Sequence, residues 1–137
     1  RVAGARRLPF GAGAFAGTLC GRVLEYAAEP AAILREARRV ARGRVAVLAL
    51  ERRSYLGLRR RLAGLRGHPI FRHVAPWSRG ELFEASRRAG AEPERARSVL
   101  YLPPALGARL PGLERRLARS AWPLGGILGW SLCGGAG

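Results

Sequence analysis

Apolar and polar positions divide this chain into short runs whose period changes from one segment to the next. Phe15 to Cys20 (FAGTLC) and Val45 to Leu50 (VAVLAL) are nearly continuous apolar runs of strand length, which predicts two strands buried on both faces. Between them Pro30 is placed to open a helix. Ile33, Leu34, Ala37, Val40 and Ala41 follow at helical spacing, with Arg35, Arg38, Arg39 and Arg42 on the other face. Gly43 suits the position just past the end of that helix. Strand, helix and strand at this spacing make a right-handed parallel unit.

Further along, Ser54 is placed to cap a helix with the apolar stripe Tyr55, Leu58, Leu62 and Leu65, ending before Pro69. Residues 67–76 contain both histidines, two prolines and no period, and read as a loop. Ser78 with Glu81 forms a capping box, flanked by the staple pair Trp77 and Leu82, and a helix from Arg79 to about Ala89 stops at Gly90. Ser98 to Leu102 (SVLYL) favours strand and is ended by Pro103 and Pro104. Leu110, Leu113 and Leu117 predict a short helix before Pro123, and Ile127 to Cys133 a last strand; the Trp122 to Trp130 segment is read as an edge strand packed on the sheet, the alternative being a stretch that lies on a membrane surface beside the arginine-rich helices.

Length bounds this to one domain, residues 1–137, and 48% hydrophobic residues is globular composition. The first residue is Arg1, without a charged leader and cleavage site, so the chain reads as processed, trimmed or a piece of a longer polypeptide. Ala121 to Gly137 is weakly polar but interrupted by proline and glycines, so no transmembrane helix is expected. Cys20 and Cys133 have no metal-ligand spacing and read as two free, mostly buried thiols in a reducing, cytoplasmic setting.

The formal charge of +16 raises a second picture, a non-catalytic arginine-rich module that meets nucleic acid or an anionic membrane. All 25 basic residues are Arg, and Lys, Asp, Asn, Gln and Met are absent. That is the signature of GC-rich codons. The arginines are spread along the chain and aromatics are only 7%, so no stripe of charge and stacking surface is concentrated for nucleic acid, and no specific nucleic-acid partner is expected.

In open parallel sheets, ligands bind beyond the carboxyl ends of the strands. Three segments qualify: Gly21 to Tyr26, the turn after Leu50, and the loop Gly4 to Phe10. No glycine-rich dinucleotide loop or P-loop stands between a strand and a helix. Glu25 and Tyr26 are the residues expected to face a ligand; the alternative for Glu25 is simply an acid favoured in a first helical turn. His68 and His73 have no neighbouring carboxylate or cysteine in sequence, and Cys20 has no partner histidine, so none of the three is read as catalytic.

The order LPF (Leu8 to Phe10), a glycine turn with Phe15, VLEY (Val23 to Tyr26), EP (Glu29, Pro30), LREARRV (Leu34 to Val40), Gly43 and an apolar strand resembles the C-terminal two thirds of class I S-adenosylmethionine-dependent methyltransferases, of the type 11 kind. WSRGELFEASRRAG, SVLYLPP and the last apolar strand follow that family's closing helix and antiparallel strand pair. The resemblance implies an α/β, Rossmann-like methyltransferase sheet, with the first strands and the glycine-rich loop lying before Arg1 and the last strands antiparallel. It implies S-adenosyl-L-methionine as cofactor and a small-molecule or lipid-like acceptor. Glu25 and Tyr26 become the candidate catalytic residues, and Gly4, Ala5, Cys20, Gly21 and Arg22 the candidate cofactor-binding residues, with no metal. The family's acidic residue ahead of LPF falls on Gly4, Ala16 follows Phe15 where the family often has Asp, and Arg42, Gly43 and Arg44 replace its proline and paired glycines.

Overall fold

The computed structural model describes residues 4–65, 77–119 and 125–135. The predicted loop with His68 and His73, and Trp122, lie outside them. Four strands form one mixed sheet in the order β1-β2-β4-β3. β1 (Thr18–Gly21) and β2 (Arg44–Leu50) are parallel, joined through a 3-10 turn (Leu24–Tyr26) and α1 (Pro30–Val40). The run expected as a strand from Phe15 starts as a single parallel bridge, Phe15 to Ala41, before β1 proper.

After β2 come α2 (Tyr55–Leu65), α3 (Arg79–Arg88) and β3 (Glu94–Val99), then α4 (Pro104–Arg109), α5 (Pro111–Arg119) and β4 (Ile127–Cys133). β4 pairs antiparallel with both β2 and β3. The last strand is thus interior to the sheet rather than an edge, since its alternating residues Leu128, Trp130 and Leu132 are all buried against the helices.

The core lies on one face of the sheet. Val45, Val47 and Ala49 of β2 and Leu128, Trp130 and Leu132 of β4 meet Ile33, Leu34 and Ala37 of α1 and Leu82 and Ala85 of α3. The opposite face is open: Leu19 is 66% exposed on β1, and Leu48 on β2 and Val99 on β3 are exposed too. The expectation that β1 and β2 are buried on both faces is therefore corrected. A continuous apolar run shows that a strand lacks polar residues, but not that both faces are covered within these residues.

Local signals hold where capping chemistry is complete. Ser78 Oγ accepts from Glu81 N (3.3 Å) while Glu81 Oε2 accepts from Ser78 N (2.7 Å), the reciprocal box. Gly90 takes φ 85°, and the amides of Gly90 and Ala91 return to Arg87 O (2.8 Å) and Ser86 O (3.1 Å), closing α3 in the left-handed turn glycine permits. Ser54 Oγ likewise accepts from Gly57 N (2.9 Å) to start α2.

Other boundaries differ. Gly43 is not a left-handed helix stop, because α1 ends at Ala41 in extended conformation; glycine is required there because a Cβ would overlap the Ala16 carbonyl oxygen. β3 begins at Glu94, ahead of the predicted SVLYL run, shares Ser98 and Val99 with it and ends at Val99, since Leu100 turns to φ 62°. The short helix expected around Leu110 to Leu117 is α5, which Pro111 opens; α4 precedes it as a further helix that the leucine spacing did not predict, ended where Pro111 lacks the amide that would continue it. The leucines at 58, 62 and 65 on α2, and 106, 110 and 113 on α4 and α5, are exposed rather than core-facing. Cys20 is buried and free as expected; Cys133 is free but exposed, at the end of β4 where alternation turns it away from the helices.

Candidate functional site

The carboxyl ends of β1 and β2 lie side by side, and the residues just beyond them make the site. Gly21 pairs with Leu48, and the next residue, Arg22, donates its amide to Leu48 O (2.8 Å) while adopting φ 55°. A left-handed arginine costs about 1–2 kcal/mol relative to ordinary backbone. Strain of this kind at a strand end belongs with sites that the surrounding structure has to hold.

The 3-10 turn that follows divides its residues sharply. Glu25 is fully buried: Oε1 accepts from Leu50 N (2.9 Å) and lies 3.5 Å from Arg22 Nε. Tyr26 is 57% exposed. The carboxylate expected to face a ligand thus turns inward and ties the turn after β1 to the last residue of β2, while the phenol beside it points to solvent. Glu25 Oε2 and Arg22 Nε are buried with no hydrogen-bond partner among the described residues. Buried polar atoms left open in this way are costly unless something else satisfies them.

Beyond β2, Glu51 is also buried. Oε1 accepts from Arg53 N (3.3 Å), Oε2 has no hydrogen-bond partner among the described residues, and burial pushes its pKa up against the opposing influence of Arg53 and Arg79. Glu51 also bridges to Trp77, whose indole Nε1 donates to Leu24 O (2.8 Å). Trp77 therefore fastens the start of α3 to both strand ends. A cleft of about 440 Å³ runs between the starts of α1 and α3, lined by Glu29, Pro30, Arg35, Trp77, Glu81 and Arg88 among others.

The remaining candidates are distributed over the same end and the adjoining loop. Cys20 is buried and burial raises its pKa, which keeps it a neutral thiol beneath the site. Gly21 is exposed. Gly4 is exposed with open space where a Cβ would stand, and Ala5 packs against the buried cluster that includes Cys20. Sequence reasoning did not single out Glu51, nor the pair Glu36 and Arg39, which bonds to the loop Gly4 to Phe10. The available signal for the pair was a lone acid on α1 three residues before an arginine. Its arginines also do more than face water: Arg35 Nη2 reaches Arg88 O (3.3 Å), Arg38 Nη1 reaches Ala89 O, and Arg38 Nε reaches Cys133 O (2.8 Å).

Comparison with known proteins gives structural relatives alone; no family model and no curated protein matches the chain. An S-adenosylmethionine-dependent methyltransferase from Thermotoga maritima, described as a possible histamine N-methyltransferase, is similar at TM-score 0.74 and 19% identity, covering 96% of this chain and 61% of that one. The geranyl diphosphate C-methyltransferase of Streptomyces coelicolor, in complex with Mg2+, geranyl diphosphate and S-adenosyl-L-homocysteine, is similar at TM-score 0.58 and 18% identity, over 100% of this chain and 53% of that one. The cyclase SpnF follows at TM-score 0.61 and 20% identity, over 98% of this chain and 55% of that one. The chain thus spans 61% or less of the length of these relatives. The fold is that of the class I S-adenosylmethionine-dependent methyltransferases.

Proposed function

We propose that the chain is the carboxyl-terminal part of an S-adenosylmethionine-dependent methyltransferase domain acting on a small-molecule or lipid-like acceptor. The observation that carries this reading is the sheet itself: a parallel β1-β2 pair with an antiparallel last strand inserted beside it, and strained and unsatisfied polar groups gathered at the carboxyl ends. The free outer edge of β1 and the open sheet face suit further strands and helices of such a domain. The acceptor class rests on likeness to the Streptomyces enzyme, whose geranyl diphosphate is small and lipid-like. One relative is a cyclase, and a fold alone does not decide chemistry, so the proposal stands on the site.

The residues present fit one flank of the cofactor. Gly21 presents backbone without a side chain in the way, Arg22 offers a buried Nε that pairs with Glu25 at 3.5 Å but has no hydrogen-bond partner among the described residues, and Gly4 and Ala5 offer a small, partly apolar surface for an adenine. S-adenosylmethionine, when bound, supplies an electrophilic methyl group on sulfur. The protein's contribution is then to hold donor and acceptor in line, an effect worth up to roughly 7–11 kcal/mol. In this assignment Tyr26 faces the acceptor, Glu25 fixes the turn that carries it, and Cys20 forms the floor.

Calorimetric titration with S-adenosylhomocysteine tests the reading on the 137-residue chain and on the polypeptide extended to the start of its reading frame. The expected result is weak binding to the first and clear binding to the second. An extended polypeptide that binds none would overturn the methyltransferase assignment.

A further inference from the structure

Glu36 and Arg39 sit one turn apart on α1, on the side away from its contacts with the sheet, and grip each other through two bonds. Arg39 Nε donates to Glu36 Oε2 (2.8 Å) and Arg39 Nη2 to Glu36 Oε1 (2.6 Å). This fork fixes the carboxylate plane. The pair then reaches out of the helix. Glu36 Oε1 accepts from Leu8 N (2.7 Å), and Arg39 Nη2 donates to Phe10 O (2.8 Å) and, at longer range, to Leu8 O (3.4 Å). The backbone of Arg39 takes part as well, its carbonyl accepting from Gly13 N (2.9 Å).

Among the described residues, every hydrogen bond from Gly4 to Phe10 to the rest of the chain ends on Glu36 or Arg39. The loop's other anchors are Ala5 against the buried cluster and the Phe10 ring edge-on to Phe15 at 4.9 Å. Glu36 is nearly buried, with 11% of its side chain exposed, so water competes poorly for its oxygens. α1 is itself a rigid base, because its opposite side is packed into the core.

We infer that Glu36 and Arg39 are positioning residues that pre-set the Gly4 to Phe10 loop, holding Gly4 and Ala5 as a ready wall for the adenosyl portion of the cofactor. The inference rests on the methyltransferase reading above. Its physical content is that a loop already ordered by two side chains does not have to be ordered by the ligand, and the affinity saved is the ordering cost of that loop. Neither residue touches the reacting atoms. Lysine at 39 would keep the charge but lose the fork, since a single ammonium cannot hold both carboxylate oxygens in plane while also reaching Phe10 O.

Two measurements on Glu36→Gln and Arg39→Lys test this. Hydrogen exchange of the Leu8 amide, followed in the chain itself, is expected to speed up by about tenfold in both variants while the amides of β2 keep their protection. S-adenosylhomocysteine affinity, followed in the polypeptide extended to the start of its reading frame, is expected to fall by about tenfold with far-UV circular dichroism unchanged. Wild-type Leu8 exchanging as fast as in the variants would overturn the clamp. Faster Leu8 exchange with unchanged affinity would overturn the positioning role while leaving the cofactor reading intact. A wild-type polypeptide that binds no S-adenosylhomocysteine would overturn the cofactor reading and the positioning role together, and the exchange data would then separate that failure from a failure of the clamp.

Discussion

Glu25 and Glu51 occupy equivalent places, just beyond two neighbouring parallel strands, and both are buried with one oxygen left without a hydrogen-bond partner among the described residues. For Glu51 burial raises the pKa, so the folded state binds a proton more tightly than the unfolded chain does. Stability from this group is complete below the ordinary carboxylate range and is lost as pH rises through its elevated pKa. Glu36 has the opposite sign. The Arg39 fork and the Leu8 amide hold it at about 2, so its contribution is present above 4.5 and lost as pH falls toward 2. We therefore expect urea unfolding of Glu51→Gln between pH 4 and 8 to show a stability gain over wild type that grows with pH. A constant difference across that range would show that Glu51 is not ionising under strain. Neither behaviour was legible in the sequence, because Glu25, Glu36 and Glu51 look alike there and differ in the burial, the arginine and the backbone amides that the fold brings to them.

At the scale of elements, α1, α3 and the parallel pair were read closely, and the reasons are local. Pro30 opens α1, the Ser78–Glu81 box opens α3 and Gly90 closes it, so each boundary is written within a few residues. Ser78→Ala should cost about 1 kcal/mol in thermal unfolding. Gly43→Ala should cost about 1–3 kcal/mol or more, because the added carbon meets a backbone oxygen that cannot swing away, and a neutral result would mean the crossing of β2 over Ala16 is looser than described. β3 was misplaced because its limits depend on what it pairs with. Leu100 leaves the strand to let its carbonyl meet Gly126 N (2.9 Å), a contact 26 residues away that no local pattern announces.

For the whole molecule, charge and coverage matter more than any single bond. Of the surplus arginines, Arg35 and Arg38 close helix and strand ends as well as facing water. Arg35 and Arg38 meet the last carbonyls of α3 and the residue after it, where the helix's partial negative charge lies. The net charge of +16 nevertheless repels itself. The melting temperature should rise as sodium chloride is raised from about 10 mM to about 200 mM, over which the screening length falls from about 30 Å toward 8 Å. A fall would mean that ion pairs such as Arg44–Glu94, at 2.9 Å, outweigh the repulsion. The fold class was legible because the parallel unit is contiguous in sequence. The open face was not, since patterning reports which residues avoid water but not what shields them.

The position of β4 sets a condition on how the chain is made. Among the described strands it is synthesised last yet stands between β2 and β3, joining the parallel half of the sheet to the rest. A nascent polypeptide emerging from the ribosome therefore carries β2 and β3 without a strand to pair them until Ile127 to Cys133 has cleared the exit tunnel. During that interval both strands are open to mispairing. Deleting Ile127 to Cys133 would remove the strand that pairs with both, leaving the packing of α1 on α3 as what joins the two halves.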